Sequence, residues 1–341
     1  MVQVFGRIAE KSQLVKVDAK DRKILALLAE EGRMPASEIA KKTLLSRDAV
    51  SYRIDRLQKK GIILTFVPIL DLTKFGYYTY HVFMLLDEKT KEKHQALIDF
   101  LVKHPNTKAL MAYTDTWDVE WTVVAKDIQE FDQIFTDVLS TFPDVILEKE
   151  KLAVVKRYTA HHLPICYYQE TGIQPASTSK PAKEAKIDDI DVKLLQLLSE
   201  NARQSSYELG KKLQLSPDSV VYRIRKLVNA QIIKVFSTLL NLSNLNHSWY
   251  TYAINFKKFD AKDEAKFNEF VSRHPHIIRA VKLFGEWDVL LSIATESTQN
   301  YHATVKEIKN TFSDIIYGYQ TWLAHEELVF TPLPAVISLK P

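Results

Sequence analysis

Between Asp18 and Glu30 the apolar residues Ile24, Leu25, Leu27 and Leu28 fall on one stripe, which predicts an amphipathic helix. A shorter helix is expected over Ala36 to Lys42, with Ile39 and Ala40 turned inward. Thr43 to Leu45 reads as a turn, Ser46 to Lys60 as a third helix, and Gly61 as its terminating glycine. The period then changes. Ile62 to Leu70 is a β-rich connector and Tyr78 to Leu86 alternates as a strand. Lys91 to Lys103 is helical, with Leu97, Ile98 and Leu101 on one face. Thr107 to Tyr113 and Trp117 to Ala125 read as strands around a tight polar turn, Ile128 to Phe142 as a helix, and Val145 to Arg157 as a last strand. The order βαββαβ predicts a sheet with helices on one face.

The same pattern returns about 170 residues later. Asp18 and Asp21 match Asp188 and Asp191; Glu38, Lys41 and Lys42 match Glu208, Lys211 and Lys212. From Val17 to Phe66 roughly 22 of about 50 positions are identical, far more than shared helix patterning gives. Further on, His104-Pro105 matches His274-Pro275, Trp117-Asp118 matches Trp287-Asp288, and Phe142 matches Phe312. The chain therefore reads as an α+β tandem repeat, each unit a winged or plain helix-turn-helix followed by a ferredoxin-like βαββαβ module. The expected divisions are an extension over 1–16, a first helix-turn-helix over 17–61, a first βαββαβ module over 62–160, and a linker over 161–186. A second helix-turn-helix follows over 187–231, and a second βαββαβ module over 232–341. Within the joint, Gln174 to Lys183 is small, polar and Pro-containing, and reads as flexible.

The third helix of each unit has the form of a groove-reading helix. In the second copy Ser216 is an N-cap and Pro217 sits where its missing amide costs nothing. Val220, Ile224 and Leu227 make the buried stripe; Asp218, Tyr222, Arg225 and Asn229 face the other way, with Lys226 beside them. A short helix, apolar on one side and mixed basic and polar on the other, suits a major groove. The candidate DNA contacts are Lys41, Lys42, Ser46, Arg47, Ser51, Tyr52, Arg53 and Arg56 in the first head. In the second they are Lys211, Lys212, Ser216, Tyr222, Arg223, Arg225 and Lys226. Arg53 and Arg223 sit at the edge of the buried stripe, where a bridge to a neighbouring helix or a phosphate competes with base reading. Asp48 and Asp218 suit the helix dipole better than cytosine. The four lysines suit phosphate, a salt-sensitive and sequence-blind term.

Composition narrows this only a little. The 341 residues are 46% hydrophobic and 26% charged, as in a soluble globular protein. The net charge of +4 is too weak to imply nucleic acid by itself, but the first head alone carries a surplus of about four positive charges. One cysteine, Cys166, allows no intrachain disulfide and fits the cytoplasm. No apolar run is long enough to span a membrane. The histidines lack metal-ligand spacing, and no catalytic triad, phosphate-cradling glycine loop or carboxylate pair stands out, so neither a cofactor, a metal nor an enzyme is expected.

Taken together, Asp188-x-x-Asp191, Asn201-Ala202-Arg203, Glu208-Leu209, Leu215-Ser216-Pro217, Val220, Arg223-Ile224 and Ile232-Ile233 resemble the Lrp/AsnC, or feast/famine, transcriptional regulators. Phe284-Gly285-Glu286-Trp287-Asp288 extends the resemblance into the second module. It implies a head that binds double-stranded DNA, and a βαββαβ module (the RAM domain) that self-associates and binds a small effector, usually an amino acid. It places that effector near the turn between the second and third strands, here Gly285, Glu286, Trp287 and Asp288. Family members usually carry one unit per chain, so two units imply an internal pseudo-dimer, with pairing into a homodimer a further option. Two positions depart from the pattern. Asp115 stands where Gly285 and the family have glycine, which puts ligand binding by the first module in doubt. Gln231 replaces the helix-terminating glycine of the second head.

The resemblance yields a regulator that reads an asymmetric operator with two unequal helices. An alternative is an enzyme on the same scaffold, because the two-half siroheme decarboxylases resemble these regulators and bind a tetrapyrrole with histidines. Their strand motifs are missing: Ala109 to Tyr113 and Ala280 to Phe284 stand in those places. A third reading is an adaptor whose heads have lost DNA, against which the basic third helices weigh. Trp117 and Trp287 are expected to pack within a sheet or interface rather than stack on a ligand.

Overall fold

Each half opens on an aspartate that caps a helix in both directions. The Asp18 side chain accepts from Asp21 N and Asp21 accepts from Asp18 N at the start of α1 (Ala19–Glu30). Asp188 and Asp191 repeat this at α7 (Asp189–Glu200). The computed structural model describes residues 6–10, 14–173 and 185–337. In the heads α2 (Ala36–Thr43) and α8 (Ser206–Leu213) end on left-handed residues, Leu44 and Gln214, both at φ +56°. That reversal aims the chain into the third helices, α3 (Arg47–Lys59) and α9 (Pro217–Asn229). After α9, Gln231 takes φ +56°, close to the +67° of Gly61, so the side chain is accommodated without changing the exit.

The connectors β1 (Ile63–Leu70) and β6 (Ile233–Leu240) pair with each other, antiparallel, with Phe66 opposite Thr238. The heads then cross over: α1 packs on β6 and α7 on β1. Ser237 and Thr238 hydroxyls donate to the last-turn carbonyls of Ala29 and Leu28 at 2.7 and 2.9 Å, and Thr65 donates to Glu200 O at 3.0 Å. Carbonyls left without partners at each helix end are thus satisfied by the other half.

The first module runs β2 (Tyr78–Leu86), α4 (Lys91–Lys103), β3 (Thr107–Tyr113), β4 (Val119–Ala125), α5 (Ile128–Thr141) and β5 (Ile146–Ala160). After α6 (Ile165–Thr171), the second module runs β7 (Ser248–Phe256), α10 (Ala261–Arg273), β8 (Ile277–Phe284), β9 (Val289–Thr295), α11 (Thr298–Thr311) and β10 (Ile316–Phe330). The eight strands of the two modules close one barrel in the order β10-β3-β4-β2-β5-β8-β9-β7. The fifteen-residue strands β5 and β10 make the seams: Ala153 lies opposite Phe284, and Ala324 opposite Tyr113. Inside lie Phe83, Trp117, Trp287 and Trp322, with the two turn tryptophans 6.4 and 6.1 Å from Trp322. Trp117 and Trp287 pack, as the sequence suggested. Each sheet's outer face is covered by its own helix pair. No helix among the described residues is long and apolar enough to cross a membrane.

Two segments depart from expectation. The joint expected as a linker over 161–186 is structured in its first part: α6 packs on α1, with Leu163, Tyr167 and Tyr168 buried. Apolar area decides this, because three large side chains within the six residues from Leu163 to Tyr168 bury more than a solvated linker tolerates. The stretch from Gln174 to Lys183 read as flexible lies outside the described residues. Residues 6–10 of the extension, to which no role was given, run along the second half: Glu327 N donates to Ile8 O at 2.9 Å and Leu242 N to Arg7 O at 2.8 Å.

Candidate nucleic-acid interface

The two third helices start alike. Ser46 and Ser216 accept from Ala49 N and Ser219 N at 3.1 and 3.2 Å, so each hydroxyl oxygen first serves as a cap. Val50, Ile54 and Leu57 bury the inner face of α3, and Val220 and Leu227 that of α9, while Ile224 is only half-buried. On the outer face Tyr52 and Tyr222 are 68% and 69% exposed. Arg47 and Arg225 are exposed beside them, Ser51 is half-buried, and Lys41, Lys42, Lys211 and Lys212 stand exposed on the preceding helices. Lys42 pairs with Glu38 at 3.5 Å and Lys212 donates to Gln204 at 2.6 Å, both exposed contacts that a phosphate can displace.

Four further basic candidates are engaged with aspartates of the first helix of their head. Arg53 donates to Asp18 and Asp21 at 2.7 and 2.8 Å, and Arg56 bonds the buried Asp21 carboxylate. In the second head Arg223 reaches Asp188 and Asp191 at 2.8 and 2.7 Å, and Lys226 reaches Asp191 at 2.6 Å. Asp21 and Asp191 are essentially fully buried, so each needs its cations. Hydrogen bonds to Asp18 and Asp21 raise the Arg53 pKa above its ordinary value; those to Asp188 and Asp191 do the same for Arg223. Partial desolvation works against it, yet the Arg53 and Arg223 bonds hold the Asp18 and Asp188 carboxyls below the usual carboxylate range. The outward reading of Arg56 and Lys226 is therefore corrected: with Arg53 and Arg223, they fix the angle of α3 against α1 and of α9 against α7. The free outer face narrows to Arg47, Ser51 and Tyr52 in one head and Tyr222 and Arg225 in the other.

The effector candidates lie in the β8–β9 turn. Gly285 has φ +150°, and a Cβ there would sit 2.6 Å from Leu152 Cδ2 and 2.9 Å from Lys151 O. The turn thus presses on β5 of the other half, and only glycine permits it. Glu286 is exposed and Trp287 is buried. Asp288 is a structural residue: its carboxylate accepts from Phe256 N at 2.8 Å and its amide donates to Ile254 O at 3.1 Å. Asp118 does the same for Leu86 N at 2.7 Å. Expecting Asp288 and Trp287 to meet a ligand directly is therefore at odds with the geometry, which commits one to a strand end and the other to the barrel interior. Sequence reasoning missed Glu150 on β5, which no local motif marks. Burial and the neighbouring Glu286 charge push its carboxyl up to about 7 against the opposing Trp287 indole N–H. In the first half Asp115 closes the equivalent turn, accepting from Leu323 N of β10 at 2.8 Å. Among the described residues no group of His, Cys, Asp and Glu is placed to hold a metal.

Comparison with known proteins agrees with this geometry. Residues 17–63 match the winged helix-turn-helix DNA-binding family, and residues 187–228 the AsnC-type helix-turn-helix domain. The uncharacterized HTH-type transcriptional regulator PH0140 of Pyrococcus horikoshii is 30% identical over 148 residues, which are 43% of this chain and 92% of that protein. The transcriptional regulator AzlB of Bacillus subtilis is 30% identical over 116 residues, covering 34% of this chain and 74% of its own. Such relatives span less than half of this chain, as one unit does. Over both units, the crystal structure of the siroheme decarboxylase NirDL superposes with a TM-score of 0.62, covering 92% of this chain and 94% of its own at 12% identity. At that identity the likeness concerns the fold. Two heads of the regulator type, exposed third helices and a barrel of paired βαββαβ modules make this chain a member of the Lrp/AsnC family of DNA-binding transcriptional regulators, with two units in one polypeptide.

Proposed function

We propose that α3 and α9 read two unequal half-sites of one asymmetric operator, and that an amino acid or related metabolite modulates this through the β8–β9 turn. The observation that carries the first part is the exposure of Tyr52 and Tyr222 on the outer faces of helices whose inner faces are buried, each flanked by an arginine without a protein partner among the described residues. An aromatic left in water on a surface bordered by cations favours a nucleic-acid contact over a solvated face. The helices differ where they face outward: Arg47 against Pro217, Ser51 against Val221, Asp55 against Arg225. Such differences favour different bases at equivalent places. Lys41, Lys42, Lys211 and Lys212 add phosphate contacts, as do the hydroxyls of Ser46 and Ser216. The protein acts in the cytoplasm and regulates without catalysing a reaction.

For the effector, the carboxylates of Glu286 and Glu150 supply a negative pole suited to an ammonium group, and the Gly285 turn lies against the other half, where occupancy bears on the barrel seam. Selection of bound fragments from random duplex DNA, followed by footprinting, tests the operator. Two dissimilar half-sites about one helical turn or more apart are expected; a perfect inverted repeat with equal half-sites would refute the unequal reading. Calorimetry against an amino-acid panel, with Glu286→Gln as control, tests the effector; no binding by any candidate removes it. Titration with iron-uroporphyrin tests the absence of a siroheme-type activity, since a Soret shift with product formation would favour the enzyme.

A further inference from the structure

Beneath the β1–β6 ribbon lies a cavity of about 90 Å³ that belongs to neither the DNA face nor the β8–β9 turn. Its roof is Val67 to Leu70 of β1 and Thr238 to Leu240 of β6. Its floor is the barrel, and it carries cations: Lys108 on β3, Arg157 on β5 and Arg279 on β8, with Arg7 from the extension and His162 after β5. Lys108 and Arg279 are half-buried and Arg157 is exposed, and all three border the cavity instead of packing against one another.

The charge there is not balanced. Glu327 is taken by Arg7, which bonds it through Nε at 2.9 Å and stacks on Trp249 and Phe330. Glu120 and Asp71 are the other near acids, and Glu120 already accepts from His81 and Tyr113, both at 2.6 Å. Asp71 pairs with Lys234 at 3.2 Å. Among the described residues Arg279 reaches only the Ser292 hydroxyl, at 3.2 Å. Among the described residues, no side chain or carbonyl accepts from Lys108 Nζ or from the Arg157 guanidinium. Burial and the nearby arginines pull the Lys108 pKa down to about 7, and burial with Arg7, His161 and Arg157 takes His162 down to about 3. Unpaired charge held this close is costly unless something neutralises it.

The duplication shows how the excess arose. By the offset of about 170, Arg157 is the counterpart of Glu327, Lys108 of Ile278 and Arg279 of Ala109. Three cations stand where the sister half has an acid and two apolar residues, and all three line one cavity. A barrel that needed only to pack would not require them.

We propose that this cavity binds a compact polyanion, a phosphate or a short polycarboxylate of two or more negative charges, held by Lys108, Arg157 and Arg279 with Arg7 behind them. Guanidinium forks match oxyanion geometry, and the space holds roughly three waters' worth of ligand, enough for such an ion. The roof is the ribbon on which both heads are hung, so occupancy bears on the heads. The site is separate from the β8–β9 turn and stands whether or not that turn takes an amino acid.

The test uses the full chain at pH 7 and constant ionic strength, with calorimetry and thermal unfolding against inorganic phosphate, pyrophosphate and citrate. At least one of them should bind saturably, one per chain, and raise the melting temperature; whether the phosphates or citrate does so identifies the source. Arg157→Gln and Lys108→Gln should each weaken that binding roughly tenfold or more. Without ligand these variants should melt no lower than the parent, because they relieve repulsion, which separates lost binding from lost folding. Exposed Lys149→Gln should bind as the parent does. The proposal is overturned if none of the three anions binds saturably, or if both cavity variants bind as tightly as the parent.

Discussion

Arg33 and Arg203 hold each other's loops. Arg33 Nη1 donates to Ala202 O, and to Gln204 O at 3.3 Å, while Arg203 donates to Gly32 O and Met34 O at 3.1 and 3.2 Å. Each guanidinium also lies over a phenylalanine of the ribbon, Arg33 over Phe236 and Arg203 over Phe66. These are equivalent residues of the two repeats, so the clasp is reciprocal and fixes the distance between the heads. Replacing both by alanine should leave each head folded. Affinity for a DNA carrying both half-sites should fall about tenfold or more, while affinity for a single half-site stays the same. Gel-shift titration on the two DNAs reads the difference, and equal losses on both would refute a spacing role.

Tyr52→Ala and Tyr222→Ala remove exposed side chains, so each should change stability by no more than about 0.5 kcal/mol. Each should weaken DNA binding by about 1 to 3 kcal/mol, and each should relax selectivity at a different half-site. Denaturant unfolding together with footprinting of both variants checks this. Loss of the same half-site by both would contradict separate reading.

Asp191 is buried beneath Arg223 and Lys226. Asp191→Ala leaves Lys226 without its acceptor and Arg223 with Asp188 alone, and breaks the reciprocal cap of α7, so it should cost roughly 3 kcal/mol. DNA affinity should fall as well, because α9 loses its anchor. Asp218→Ala, on the same helix start but exposed, should cost far less. Similar unfolding midpoints for the two variants would sink this account.

Burial, with His276 beside it, pulls the His274 pKa down to about 4, and Glu307 lies 3.5 Å from its Nε2. The folded imidazole therefore resists a proton that the unfolded chain accepts near pH 6.5. Its contribution to stability is present above pH 6.5 and is lost as the pH falls toward 4. His162, lowered to about 3, acts in the same direction. Melting temperature should drop between pH 7 and pH 4.5. His274→Asn, which can still accept from His276 N as Nδ1 does at 3.2 Å, should flatten that drop. An unchanged slope in the variant would assign the acid sensitivity elsewhere.

A side chain at Gly285 has nowhere to go, since β5 closes over it. Gly285→Ala should cost about 1 to 3 kcal/mol and should abolish any effector response mediated by that turn. The reverse exchange, Asp115→Gly, frees Leu323 N and should destabilise by about 1 kcal/mol through the lost hydrogen bond. Thermal unfolding of both variants tests the asymmetry of the two turns.

The heads were legible in the sequence because their signals are local. Caps at Ser46, Ser216, Asp18 and Asp188, inward stripes at helical spacing and the turn before each third helix all lie within one or two turns of chain. The repeat was legible for a different reason: two copies of one solution need no knowledge of what each residue touches. From these came the order of elements, the regulator resemblance and the exposed tyrosines.

Tertiary structure alone decided the rest. Outward helical spacing placed Arg56 and Lys226 toward DNA, but a buried carboxylate 35 residues earlier in the chain captures both. A motif pointed to Asp288, whose carboxylate is spent on a strand end 32 residues away. Glu150 meets Glu286, and Lys108, Arg157 and Arg279 share a cavity, only because two distant modules close into one barrel. Periodicity records whether a position faces in or out. It does not record which distant group waits there, because that contact is fixed by the pairing of strands far apart in the chain and by which charge desolvation forces together.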